Sequence, residues 1–462
     1  MATSGEPMNR MGRPLLFLFA MPAVLQGFMH APAQSLVQGV YAKHTGLSLT
    51  ALGSALLLTR FFDAVIDPLI GALSDACHRR LRSRKMLIAL GTAVTLLGQW
   101  FLYRPPADVS IIYFTGWFMM TYLGWTLTEI PYRAWSMELS SDYVFRSRIQ
   151  VWLGVALLIG ALSFYAVPYI QKALGLSRST EFDLSTMAVT AAIVVVVFPI
   201  VNLLALWRLP DGPAHREAPP IGLRDLGSAI GRNPPLLYFI FVFAAFGISG
   251  GLGQGVYYLY FDSYLGLGKH FAAVFLLALP VSVIAIPFWG WVSQHFERRS
   301  VWAITLAAGG LCYCGLGFIE PGPNALTLAT VCVISTCFFV SSTLVIGMAL
   351  LGDAIDYGRW RFGQDHAGLY VASYTLLQKF AGGLGVALGL MILGWLGFDP
   401  TARAQSASAS TGMKLIVSWL PGACCLLISP MVWRFPITRG SHARMMAEIA
   451  ARDSSILRAE PQ

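Results

Sequence analysis

The chain has 462 residues, of which 56% are hydrophobic and only 12% charged, with a mean hydropathy of +0.63 and a formal net charge of +9. A soluble domain carries about 25% charged residues; twelve membrane helices of about 20 apolar residues would use about 240 of the roughly 259 available here. These proportions exclude a soluble enzyme, a disulfide scaffold, a coiled coil and a disordered chain, and leave a polytopic helical membrane protein.

The amino terminus imitates a secretory signal. Arg10 and Arg13 precede an apolar run, and Ala31-Pro32-Ala33 resembles a cleavage site. The apolar stretch continues through Leu36, Val37 and Val40 to Tyr41, too long for a signal core, so an uncleaved first helix is predicted. Further runs bounded by charge or by Pro and Gly predict twelve spans near 14–41, 49–76, 86–103, 109–136, 148–173 and 186–208, then 234–262, 270–293, 301–319, 325–352, 367–397 and 411–434. Residues 209–233, rich in Pro, Gly and charge, separate a six-helix bundle over 1–208 from another over 234–434, and 435–462 form a tail. With the amino terminus inside, 22 of the 32 Lys and Arg fall on the cytoplasmic side and 7 on the other; Arg60, Arg133 and Lys379 lie within spans. The positive-inside rule then puts both termini and the 209–233 loop in the cytoplasm. Basic residues confined to short loops report topology, so no nucleic-acid partner is expected. The seven cysteines lack metal-ligand spacing and read as small apolar fillers; no metal site is expected.

The halves repeat. Gly71, Ser74, Arg79 and Arg80 after the second span recur 219 residues later as Gly290, Ser293, Arg298 and Arg299. Asp142-Tyr143 after the fourth span recurs as Asp356-Tyr357 after the tenth. Shared loop chemistry in two halves fits transporters that rock about a central site. The basic residues Arg79, Arg80, Arg298 and Arg299 share a layer with Asp75, Glu138, Asp142, Asp353 and Asp356. Together they are candidate gating residues.

Charged residues inside spans are costly and mark function. In the second span, spacings of three and four put Arg60, Asp63 and Asp67 on one helical face. Two carboxylates one turn apart call for a cation or a shared proton; alternatively, Arg60 and Asp63 brace the bundle. In the fourth span Glu129 and Arg133 form an i, i+4 pair, either structural or with Glu129 facing a central cavity. Lys379 in the eleventh span is too deep to reach a surface easily and needs a carboxylate, with Asp63, Asp67 and Glu129 as candidates. In the first span Gln26, His30, Gln34 and Gln38 recur every four residues and line either a wet cavity or a neighbouring helix. Trp125, Tyr132, Trp135, Trp152, Tyr370 and Tyr374 share spans with the charges, where they serve solute stacking, packing or an interfacial belt.

The stretch from Arg60 to Asp75 with its basic loop to Lys85 resembles the second-helix signature of glycoside-pentoside-hexuronide:cation symporters. Ile130-Pro131-Tyr132-Arg133-Ala134 with Glu138-Leu139, Asp142-Tyr143 with Arg146 and Arg148, Asp356-Tyr357-Gly358-Arg359-Trp360, and Lys379 with its glycines agree with the family. The resemblance implies an all-α integral membrane protein of the major facilitator fold, with two pseudo-symmetric bundles that alternate access. By position, Asp63 and Asp67 match the cation-coordinating carboxylates of the melibiose-permease branch. Thr126 and Glu129 match its fourth-helix hydroxyl and acid, Lys379 its eleventh-helix lysine, and Trp135 a sugar-stacking tryptophan. Three residues depart from that branch. Ile66 replaces a polar amide ligand, which favours protons over sodium. The first helix lacks an acid, and Gly154 falls near the position of an arginine, so the sugar grip is altered.

The expected function is therefore symport of a cation, H+ or Na+, with a small polar organic solute, sugar-like by default, or with a lipid-like or other non-sugar solute. The cation site would comprise Asp63, Asp67, Thr126 and Glu129. The solute site would comprise Gln26, His30, Gln34, Glu129, Trp135 and Lys379. No cofactor beyond the coupling ion is expected, and neither is catalysis. A monomer in a bacterial cytoplasmic membrane completes the expectation.

Overall fold

A computed structural model describes residues 13–139, 143–211, 231–363, 367–402 and 405–459, and its regular elements there are helices. In chain order they are α1 (Arg13–Ser35), α2 (Val37–His44), α3 (Leu49–Leu81), α4 (Lys85–Tyr103), α5 (Ile111–Glu138), α6 (Tyr143–Ala173) and α7 (Leu184–Arg208). Then follow α8 (Pro234–Gln254), α9 (Phe271–His295), α10 (Arg298–Leu316), α11 (Ala325–Val340), α12 (Met348–Phe362), α13 (Ala367–Trp395), α14 (Ala407–Lys414), α15 (Leu420–Trp433) and α16 (Arg439–Ala459). Ten helical stretches among the described residues are long and apolar enough to cross a membrane, so the chain is a multi-pass membrane protein. Helices also form at the two other expected spans, 109–136 and 301–319, as α5 and α10. Tyr, Trp, Thr and Gly dilute the hydropathy of α5, and Arg298-Arg299 that of α10, which opens on them.

Local signals set the helix ends. Ser48, Ser110 and Asp183 accept hydrogen bonds from the backbone N–H three residues on, capping α3, α5 and α7. At the start of α8, Asn233 caps ahead of Pro234, which needs no N–H partner. The first expected span is broken at Leu36, four residues after Pro32. Gln38 Nε2 donates to Ala33 O at 2.9 Å across the break. Gln38 thus satisfies backbone inside the bundle, as apolar surroundings require. Single π-turns at Thr343–Gly347 and Leu415–Trp419 divide the tenth and twelfth expected spans.

Contacts divide the chain into two compact units. The first holds Met1–Glu217, Tyr257–Leu276 and Leu390–Gln405; the second holds Ala218–Val256, Leu277–Gly389 and Ser406–Gln462. Within the first, Lys43 Nζ pairs with Asp262 Oδ2 at 2.8 Å, and Tyr258 Oη donates to Phe182 O at 2.6 Å, which ties 257–276 to that unit. Within each unit, helices meet where glycine permits. A Cβ on Gly160 of α6 would stand 1.8 Å from Val24 O of α1, and one on Gly251 of α8 would stand 2.2 Å from Gly382 O of α13. Such close approach of backbones is how membrane helices pack without a hydrophobic driving force between them. All seven cysteines are free.

Candidate functional site

The two faces of α3 differ. Leu58, Phe61, Val65, Leu69 and Leu73 are exposed along one side, and Arg60, Asp63 and Asp67 fall on the opposite side at helical spacing. An apolar stripe fit for lipid therefore backs a charged stripe turned toward neighbouring helices. Arg60 Nη1 donates to Asp63 Oδ2 at 3.1 Å and Nη2 to Tyr122 Oη at 2.9 Å, with the guanidinium carbon 4.7 Å from the Tyr122 ring centre. The Arg60 and Asp63 side chains are only 13% and 17% exposed. Tyr122 stacks on Trp125 at 6.1 Å, and the His30 ring meets Trp125 edge-on at 3.9 Å. Asp63, Arg60, Tyr122, Trp125 and His30 thus form one chain of contacts across α3, α5 and α1.

Other candidates spread around this chain. Glu129 is 14% exposed and accepts from Arg133 Nη2 at 2.7 Å, while Arg133 itself is 68% exposed. Thr126 and Gln26 are buried, and Asp67 is half-buried one turn beyond Asp63. Lys379 belongs to α13 of the second unit and is exposed there. Trp135 sits apart: it is 2% exposed, its Nε1 donates to Pro210 O at 3.1 Å, and its ring packs on Phe19 and Tyr132. Its faces are taken by protein, which does not suit solute stacking. Asp142 lies outside the described residues, as does the side chain of Gln34.

Among the gating candidates, Arg79 and Arg80 are exposed, and the guanidinium that engages Asp75 is that of Arg84. Arg84 is 4% exposed; it donates to Asp75 Oδ1 at 2.7 Å, to Ser74 Oγ at 2.6 Å and to Glu138 Oε1 at 2.8 Å. Burial works against the Arg84 charge, and its hydrogen bonds to Glu138 and Asp75 more than offset it, so its pKa lies above the ordinary arginine value. In the second unit Arg298 Nη1 donates to Asp353 Oδ1 at 2.7 Å, Arg299 Nη1 to Phe435 O at 3.0 Å, and Asp356 Oδ2 meets His442 Nε2 at 2.8 Å.

Tyr122, Arg84 and His442 were not singled out in the sequence. Arg84 had a readable signal. It stands 214 residues before Arg298, the interval that also separates Asp142-Tyr143 from Asp356-Tyr357. The 219-residue match of Arg79 to Arg298 skips a length difference, because α3 runs five residues further past Gly71 than α9 runs past Gly290.

The long apolar helices are arranged in the fold of the major facilitator transporters. The fold is shared with an inward-facing bacterial homologue of the human lysosomal transporter Spinster, at a TM-score of 0.69 and 13% identity, covering 96% of this chain and 99% of that one. Residues 18–439 match the MFS/sugar transport protein family, and the chain belongs to that family, within its glycoside-pentoside-hexuronide:cation symporter-like branch. It is a transporter, not an enzyme. Among its relatives, the isoprimeverose transporter of Lactiplantibacillus pentosus is 25% identical over 82% of this chain and 80% of its own. A sphingosine-1-phosphate transporter of Mus musculus is 22% identical over 79% of each chain.

Proposed function

We propose that the protein is a twelve-span symporter of a bacterial cytoplasmic membrane. It couples inward movement of a proton to that of a small polar organic solute, sugar-like by default. Two six-helix bundles, residues 1–208 and 234–434, alternate access about a site between them, with both termini, the 209–233 loop and the 435–462 tail in the cytoplasm. The observation that carries the reading is the Arg60–Asp63 pair, backed by Tyr122, on the charged face of a spanning helix. A guanidinium beside Asp63 supplies a fixed positive charge that a sodium ion at the same carboxylate would have to face. A proton needs only one carboxylate, and Asp67, one turn on, is that group. Asp63, Thr126 and Glu129 surround it as the cation region. His30, Gln26 and Gln34 of the first span, Glu129 and Lys379 contact the solute.

A second reading has a specific observation in its favour. The burial of Trp135 against Phe19 and Tyr132 removes one sugar-stacking surface, which favours a lipid-like or other non-sugar solute. Relatives of both kinds support the broader class, cation-coupled transport of a solute. Uptake of a solute panel, including sugars, hexuronides and a lysophospholipid, into right-side-out and inside-out vesicles tests both, with and without sodium at two pH values. Proton coupling is expected as accumulation that follows the pH gradient and ignores sodium. Accumulation that requires sodium at either pH would replace the proton with sodium, and no accumulation of any solute under either gradient would count against symport.

A further inference from the structure

The tail of the chain is built into the fold. After α15, Thr438 and Ser441 exchange hydrogen bonds that start α16, and Arg439 N donates to Glu297 Oε1 at 2.9 Å. Met445 and Ile449 of α16 are buried, at 7% and 3% exposure. Further along, Glu448 Oε2 accepts from Trp360 Nε1 at 2.6 Å, and Arg452 donates to Arg359 O at 3.1 Å and Trp360 O at 3.3 Å, closing the carbonyl end of α12. The seam between α12 and α16 therefore joins these polar contacts to an apolar patch around Met445 and Ile449. It leaves a cavity of about 290 Å³ lined by Trp360, Arg361, Glu448, Ile449 and Arg452.

His442 occupies the centre of this contact. Its Nε2 is 2.8 Å from Asp356 Oδ2 and 3.6 Å from Asp353 Oδ1, both on α12. The other charged groups that bear on it are Arg298 of α10, 2.7 Å from Asp353, and Glu297 before α10, which holds the start of α16. Arg298 pairs with Asp353, and the His442 ring is the group from α16 that reaches Asp356. Histidine is the side chain whose charge changes within the physiological range. A protonated imidazole placed between Asp353 and Asp356 balances the cluster and ties α16 to α12. The neutral ring keeps at most one hydrogen bond and leaves Asp356 without a counter-charge from α16.

We propose that His442 is a proton-operated clasp by which the carboxy-terminal helix docks on α12. Docking and protonation then favour each other by linkage: the clasp tightens as pH falls and loosens as pH rises. Because α12 carries Asp353 and Asp356, the state of the tail bears directly on the second unit's share of the gating layer. The device needs no solute and stands independently of which ion or substrate the protein carries.

Hydrogen exchange of residues 439–452 in the full-length protein, in lipid nanodiscs, tests this directly. Rates corrected for intrinsic chemistry would be compared at about pH 5.5 and about pH 8, on either side of the histidine range. Wild-type protein is expected to show stronger protection at the lower pH. His442→Gln should show the weaker protection at both values, and His442→Arg the stronger at both. Asp356→Asn, which keeps the size of the side chain, should flatten the pH response without removing the helix. Protection of α16 that is the same at both pH values in wild-type protein, or a pH response that survives in His442→Gln and Asp356→Asn, would overturn the clasp.

Discussion

At the scale of single residues, the spacing of Arg60, Asp63 and Asp67 says that three charges share a face. It does not say which of them are already balanced. In the fold Arg60 binds Asp63 and Tyr122 together, so Asp63 is held by protein while Asp67 lies one turn on. Asp63→Asn and Asp67→Asn should each leave the protein inserted yet abolish concentrative uptake, because a charge is kept in a span only where function or a partner sustains it. Full accumulation by both variants would remove these carboxylates from the coupling site. Tyr122→Phe keeps the ring under the guanidinium and deletes the oxygen that accepts from Arg60. A hydrogen bond to a charged group contributes about 1.5–3 kcal/mol. Tyr122→Phe should therefore lower the melting temperature measurably in detergent and weaken coupling, whereas a variant indistinguishable from wild type in both would make the Arg60–Tyr122 contact incidental.

Between helices, Arg84 joins the ends of α3 and α5 from the first residue before α4. Arg84→Ala strands the Glu138 carboxylate, which is 14% exposed. Breaking a buried pair costs about 3–5 kcal/mol, and the lower end applies here because Asp75 is 38% exposed. Arg80→Ala removes an exposed side chain and should stay within about 0.5 kcal/mol. Thermal unfolding of the two variants side by side checks the contrast; equal losses would return Arg80 to the network. Proximity in sequence hid this difference. All five basic residues from Arg79 to Lys85 look alike as loop charges. Only the length of α3 and the turn after it decide which one is folded inward, with Arg82 in the left-handed region at φ 53° and Arg84 next to the apolar start of α4.

For the whole molecule, twelve spans give an even number of crossings, and the strong bias of Lys and Arg to one side of them predicts both termini in the cytoplasm. Single cysteines introduced at Gly46, in the turn after α2, and at Asp211, in the loop after α7, should react with a membrane-impermeant maleimide from opposite sides, in a background without the native cysteines. In right-side-out vesicles the Gly46→Cys protein should label and the Asp211→Cys protein should not. Labelling of both from the same side would overturn the twelve-span topology and with it the two-bundle reading.

Composition and hydropathy alone determined that the chain is a helical membrane protein, because no soluble core can absorb so many apolar residues with so few charges. The one-face spacing of Arg60, Asp63 and Asp67, and the repeated loop motifs, were equally legible, since helical periodicity is local and needs no knowledge of neighbours. The tertiary structure alone decided partners. For Trp135 the sequence leaves stacking, packing and an interfacial belt open, and only the family resemblance points to a sugar; in the fold Phe19 of α1 and Pro210 beyond α7 cover it. Asp356 reads as a gate partner for a loop arginine, yet the His442 ring meets it, from a tail that carried no motif. Such pairings join residues 75 and 86 positions apart in the chain, and nothing in a local pattern specifies which distant segment the packing of helices will bring against a given side chain.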